Sequence, residues 1–182
     1  MIVAEEKKKE NIAEYILFIW QMQDLVRAAN FKKEMVEGFV QSYAESDENY
    51  KKEKRWFMEL MADMKDEGIE KKGNLSEITE LISEMFYLHN TLLNVIKDKK
   101  YTELFEEAQP NMAAYLQKAG GSTSNDVETC LTALYGLLVL RLKKADISEE
   151  TEKAMETFSR LMAYLSQKYK AMKKGEMNFN LN

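Results

Sequence analysis

Apolar residues recur three and four positions apart along nearly the whole chain, with charged residues between them. That is the period of an amphipathic helix, not the alternation of a half-buried strand. Ile12, Ile16, Ile19, Gln23 and Val26 form one such stripe, and Phe18, Met22, Leu25 and Ala29 a second. Tyr15, Leu17 and Trp20 fill much of the remaining girth, and the pattern predicts a helix from about Ala4 to Asn30. A helix apolar over so much of its circumference is either central or shared with a partner chain. A second helix is predicted over Phe31–Tyr43, carrying Met35, Val36, Phe39 and Val40. Ser46 or Asp47 then offers an N-cap for a helix reaching Glu67, with Tyr50, Phe57, Leu60, Met61 and Met64 on its apolar side. Gly68 is placed to end it in the left-handed conformation, and Gly68–Asn74 reads as a loop.

The fourth predicted helix, Leu75–Asp98, carries Ile78, Ile82, Met85, His89, Leu92 and Ile96 in register. A fifth starts near Tyr101. Pro110 lacks a backbone donor and should break or kink it before it resumes to Ala119. Residues 120–125, Gly-Gly-Ser-Thr-Ser-Asn, are a short linker between apolar helices and not a domain boundary. The sixth helix, Asp126–Lys144, is apolar nearly all round and is expected at the buried centre. Gly136 within it, like Gly38 earlier, costs about 1 kcal/mol of helix propensity, which close helix–helix approach would offset. Asp146 or Ser148 caps a last helix bearing Ala154, Phe158, Leu161, Met162, Leu165, Tyr169 and Met172. The tail 175–182 is expected to fray, or to dock through Met177, Phe179 and Leu181. The expectation is an all-α, single-domain irregular helical bundle of six or seven helices over residues 1–182.

Composition narrows the class further. Seven glycines and one proline in 182 residues are too few turn formers for a β-sandwich or barrel. The net charge of −5 is mild, and the lysine runs at 7–9, 51–55 and 97–100 are flanked by acids, so nucleic acid is not an expected partner. Cys130 is the single cysteine, so no intrachain disulfide forms, which points to a reducing compartment. No apolar run approaches the ~20 residues that span a bilayer, and acids and lysines occupy the N-terminus where a signal peptide needs an apolar core. A cytoplasmic protein with no membrane partner is expected.

Counting residues closes several chemistries. Di-iron carboxylate bundles need two Glu-x-x-His motifs, yet the chain has one His and the residue three before it is Phe86. A zinc site of His and Cys fails by count. Glu77/Glu80 and Glu103/Glu106 supply the first half of an E-x-x-E…E-x-x-D magnesium site, but no E-x-x-D exists. Helical ribonucleases of the HEPN type need an Arg where positions 82–84 hold Ile, Ser and Glu. There is no phosphate-binding glycine loop. Cys130 lies in the most apolar helix, where a thiol stays protonated and inert. No catalytic residue, metal or cofactor is therefore assigned; the reading leans against an enzyme and keeps an enzyme of another type, with acidic or hydroxyl residues around Arg27, as a third alternative.

The polar residues that stand out are Trp20, Gln23, Asp24 and Arg27, three and four apart on one side of the first helix, and His89 on the fourth. Gln23 and His89 interrupt apolar stripes, and a buried polar group without a partner costs about 1–3 kcal/mol. Two readings follow. In one, Asp24 pairs with Arg27, and Gln23 and His89 bond to neighbouring helices. In the other, the five residues converge on a pocket between helices 1 and 4 for a small polar or anionic ligand. The methionines on core stripes, Met61, Met64, Met85, Met162 and Met172, read as core filler.

The opening Ile2–Leu17, IVAEEKKKENIAEYIL, continuing into Trp20-Gln21 and Asp24–Ala28, resembles the start of an all-helical bacterial family, a domain of unknown function. The resemblance extends along the chain and includes Leu88-His89. It implies an intracellular helical bundle and brings no activity, cofactor or catalytic residue. The functional expectation is an interaction or scaffold protein that self-associates as a homo-oligomer through Phe18, Met22 and Leu25 of helix 1. The alternative is a small-ligand binding protein using the polar pocket.

Overall fold

The computed structural model describes residues 2–44, 46–120 and 123–177, with the side chains of Ile2 and Tyr43 left aside. Phe179 and Leu181 of the tail, and Gly121 and Ser122 of the linker, lie outside the described residues. The described chain is all-α, with α1 (Ile2–Glu10), α2 (Ile12–Ala28), α3 (Lys33–Tyr43), α4 (Asp47–Asp66), α5 (Ser76–Asn90), α6 (Lys99–Ala119), α7 (Asp126–Leu142) and α8 (Glu149–Lys173). A π-helical stretch, Thr91–Ile96, extends α5. Six or seven helices was thus a slight undercount among the described residues. The predicted first helix divides at Asn11, between α1 and α2.

The chain falls into two compact units. The first comprises Met1–Glu10 and Glu14–Glu80. In it α3 packs on α4, with Phe39 edge-on to Phe57 at 6.0 Å and Lys54 bridged to Glu37 at 2.9 Å. Ser46 caps α4 as its sequence position suggests, its hydroxyl accepting from the Asn49 N–H. Val36, Val40, Phe57, Leu60, Met61 and Met64 are buried on the predicted stripes. The turn from α2 to α3 places Asn30 and Phe31 at φ +48° and +57°. The Phe31 N–H bonds back to Val26 O and the Asn30 N–H to Arg27 O, the double closure of a Schellman turn. That geometry moves the start of α3 from Phe31 to Lys33. Gly68 takes the left-handed conformation, φ +68°, beyond α4.

The second unit comprises Asn11–Ala13 and Leu81–Asn182. Its organising element is α8, which packs on both α6 and α7. Phe158, Leu161 and Leu165 of α8 are fully enclosed, each contributing at most about 1.5–3 kcal/mol by burial. Ser148 caps α8, accepting from the Thr151 N–H, and the buried Ser166 hydroxyl accepts from the Ala13 N–H at the start of α2. The expectation that helix 6 is the buried centre is corrected. The α7 helix buries Val127, Cys130, Leu131, Ala133 and Leu137 but leaves Leu140 and Leu142 exposed. Neither Gly136 nor Gly38 is a close-approach position, since a Cβ at either would meet nothing within 4 Å. Pro110 does not break α6, because it lies on the exposed side, where water can satisfy the freed carbonyl.

The chain from α5 to α6 differs from the predicted continuous helix. After Asn90 the hydrogen bonding loosens to the π pattern, and Lys97 turns into the left-handed conformation. Asp98 then caps α6, accepting from the Tyr101 N–H. Its carboxylate also accepts from the Tyr164 hydroxyl at 3.1 Å and pairs with Lys168 at 2.7 Å.

Candidate functional site

Three of the five predicted site residues cluster toward the C-terminal end of α2, in the first unit. Asp24 and Arg27 pair at 3.0 Å, as the spacing of one helical turn allows. The second terminal nitrogen of Arg27 donates to Ile69 O at 3.1 Å and to Gly73 O at 2.5 Å. The guanidinium fork is thus committed to clasping the 68–74 loop. Gly73 serves this clasp through its own conformation, φ +101°, where a Cβ would also press on Ile69 at 3.2 Å.

Gln23 is different. Its side chain is 0% exposed, and neither its amide nitrogen nor its amide oxygen has a hydrogen-bonding partner in the chain. Arg27 Nε and the Glu53 Oε2 of α4 are buried in the same state. Trp20, the fourth α2 residue of the prediction, is buried. A surface pocket of about 380 Å³ is lined by Gln41, Ala44, Ser46, Asp47 and Tyr50, and none of the predicted residues borders it.

His89, the fifth, lies in the second unit. It is 2% exposed, flanked by Phe86 at 5.8 Å and Phe105 at 5.1 Å. Nδ1 lies 2.8 Å from the Tyr101 hydroxyl, and Nε2 faces Asp126 at 3.7 Å, beyond hydrogen-bond reach. Burial lowers the His89 pKa, opposed by the negative charge of Asp126. Burial raises that of Tyr101, and the phenol shares one hydrogen bond with Nδ1. Burial thus favours the neutral form of the imidazole. A general base must reach a substrate proton at about 2.6–3.2 Å. Enclosed by rings, His89 is not placed to do so, and its geometry is that of a core histidine bonded through Nδ1. Cys130 is fully buried, and desolvation pushes its thiol well above the ordinary value.

Sequence reasoning missed Tyr101 and Asp126 as the partners of His89. Tyr101 begins the stripe Tyr101, Leu104, Ala108, Met112, which is buried throughout. A phenol inside such a stripe needs a partner, and that was the available signal. The carbonyls of Ile69 and Gly73 left no trace in side-chain pattern.

The second stripe of helix 1 is largely spent inside the molecule. Met22 and Ala29 are buried, Leu25 is half-buried, and Phe18 lies 6.2 Å from Trp56 of α4. Of the large apolar side chains exposed in the second unit, Leu140 and Leu142 are on α7, Tyr87 is on α5, and Val95 is on its π-helical extension.

The chain matches the family described as Domain of unknown function (DUF4924) over residues 1–176, and it belongs to that family. No curated protein and no solved structure matches it. No described helix is long and apolar enough to cross a membrane.

Proposed function

We propose that this DUF4924 member is a non-enzymatic interaction or scaffold protein that associates with its own copies. One observation carries the reading. The α7 helix leaves two large apolar side chains exposed near its C-terminal end, Leu142 at 60% and Leu140 at 42%. The commitment of Arg27 to loop carbonyls and of His89 to Tyr101 supports it, because the most conspicuous polar groups are engaged within the chain. Sedimentation velocity tests it. A species of twice the 21.2 kDa chain mass is expected at micromolar concentration, and a monomer throughout refutes it.

A second reading, a small polar ligand held beside Trp20, Gln23, Asp24 and Arg27, is favoured by the unpartnered Gln23 amide. It predicts that a panel of free amino acids, nucleotides and dicarboxylates contains a compound that raises the melting temperature. The rise should vanish in Gln23→Leu. A panel without effect counts against it.

A further inference from the structure

We infer that Tyr101 is a redox-active tyrosine, which gives an electron by way of Tyr164 to a one-electron oxidant at the surface and its phenol proton to His89. The cluster lies wholly within the second unit and needs no second copy of the chain.

The proton has a place to go. Tyr101 is fully buried, and its hydroxyl lies 2.8 Å from His89 Nδ1. Heavy atoms about 2.6–3.2 Å apart can pass a proton directly. On the other side of the ring, Nε2 faces the Asp126 carboxylate at 3.7 Å. A hydrogen on Nε2 points a positive end at that anion, whereas a lone pair there would set negative against negative. That tautomer leaves Nδ1 as the acceptor and makes the phenol the donor. A proton arriving at Nδ1 creates an imidazolium, which Asp126 stabilises from across the ring. The Asp126 side chain is 48% exposed, so the line runs from a buried phenol to a carboxylate in contact with water.

The electron leaves by another side. Tyr164 of α8 stacks on Tyr101, with ring centroids 6.0 Å apart and planes 24° from parallel. Tyr164 is half-buried and so carries the path to the surface. Its hydroxyl donates to Asp98. That carboxylate also holds Lys168 at 2.7 Å and the Tyr101 N–H at 3.0 Å, which makes it a poor proton acceptor. The Lys168 ammonium also sits 5.1 Å from the Tyr164 ring and opposes positive charge there. Oxidation therefore passes through Tyr164 and comes to rest on Tyr101. The oxidant, a freely diffusing radical, takes one electron from Tyr164, whose proton moves to Asp98. Tyr101 returns an electron to Tyr164, which recovers that proton, while the Tyr101 O–H bond breaks and an Nδ1–H bond forms. The products are a neutral Tyr101 phenoxyl radical, a His89 imidazolium and the reduced oxidant. Full burial shields the phenoxyl from coupling with a second one.

The experiment oxidises the full chain with photogenerated tris(bipyridine)ruthenium(III) and follows phenoxyl radical by transient absorption and electron paramagnetic resonance. Blocked free tyrosine is the reference. The wild type is expected to give a phenoxyl component that outlives the reference and forms more slowly in deuterium oxide. In Tyr101→Phe that component should be lost, leaving short-lived signal from exposed tyrosines such as Tyr87. His89→Phe should slow its formation by about 10²-fold or more. Tyr164→Phe should slow its formation without shortening its life. A wild-type signal that decays like the reference overturns the proposal with no variant needed, as does a long-lived component that survives Tyr101→Phe. A formation rate unmoved by His89→Phe or by deuterium oxide overturns the proton route, and one unmoved by Tyr164→Phe overturns the electron route. Circular dichroism matched to wild type qualifies each variant.

Discussion

Gln23 sits at 0% exposure with both amide groups lacking a partner in the chain. Each orphaned group costs about 1–3 kcal/mol relative to its hydrated state in the unfolded chain. Methionine has nearly the same length and flexibility and carries no strong donor or acceptor, so Gln23→Met keeps the packing and removes the penalty. Allowing for partial relaxation around the amide, a net stabilisation of about 1–3 kcal/mol is expected. In a chain of this size that raises the melting temperature by about 3–8 °C. Urea unfolding measures it directly, with an unchanged slope showing that only stability moved. Gln23→Ala is the control. It removes the same polar atoms but leaves a cavity, and it should fall below the Met variant by about 2 kcal/mol or more. If Gln23→Met instead destabilises the protein by more than about 1 kcal/mol, the reasoning fails. The amide would then be bonded in solution by a group from outside the chain, which is what the small-ligand reading requires.

Removing the Arg27 clasp with Arg27→Ala should cost about 2–3 kcal/mol, since charge-assisted bonds to two carbonyls and a carboxylate are lost together; hydrogen exchange should accelerate first at residues 69–73. Because burial depresses the His89 pKa in the fold, the unfolded chain takes up its proton first as pH falls through the ordinary value of 6.5. Stability contributed by the neutral ring is therefore present above that pH and declines below it, until the folded pKa is passed. Urea midpoints should fall accordingly between about pH 7.5 and 5, and this part of the slope should vanish in His89→Phe. Cys130, enclosed and with a raised pKa, should react with Ellman's reagent only on unfolding; rapid reaction of the native protein would contradict its placement.

Helix identity was legible wherever a stripe repeated over three or more turns, as in α4 and α8, where the predicted Phe57, Leu60, Met61 and Met64, and Phe158, Leu161, Met162, Leu165 and Tyr169, are buried, while Tyr50, Ala154 and Met172 are half-buried. The caps at Ser46 and Ser148 were legible for a local reason, the reach of a side-chain oxygen to the third residue on. What escaped depended on partners distant in sequence. The break at Asn11 accompanies a bond from Ala13 to Ser166, which no window of local sequence contains. For α7, hydropathy was read as depth, yet a helix apolar all round is equally suited to a face awaiting another molecule. Periodicity gives the faces of a helix and not their burial, and the structure leaves Leu140 and Leu142 exposed. The Asp24–Arg27 pair followed from spacing alone, whereas the commitment of Arg27 to Ile69 and Gly73 required the loop to be folded.

The π-helical corner has a consequence for how the chain tolerates changes of length. Both of its ends converge on Tyr101. His89, just before the corner, meets the phenol oxygen, and Asp98, just after it, meets the backbone nitrogen. The widened turn of Thr91–Ile96 holds the surplus residue that brings these two grips onto one tyrosine. Shortening the corner by one residue would regularise the helix and rotate one grip away by roughly a quarter turn, about 100°. Asp98 would then leave Tyr164 and Lys168 as well, detaching the start of α6 from α8. The corner thus behaves as a gauge of chain length, and the interval from His89 to Tyr101 is one where a substitution is milder than any insertion or deletion.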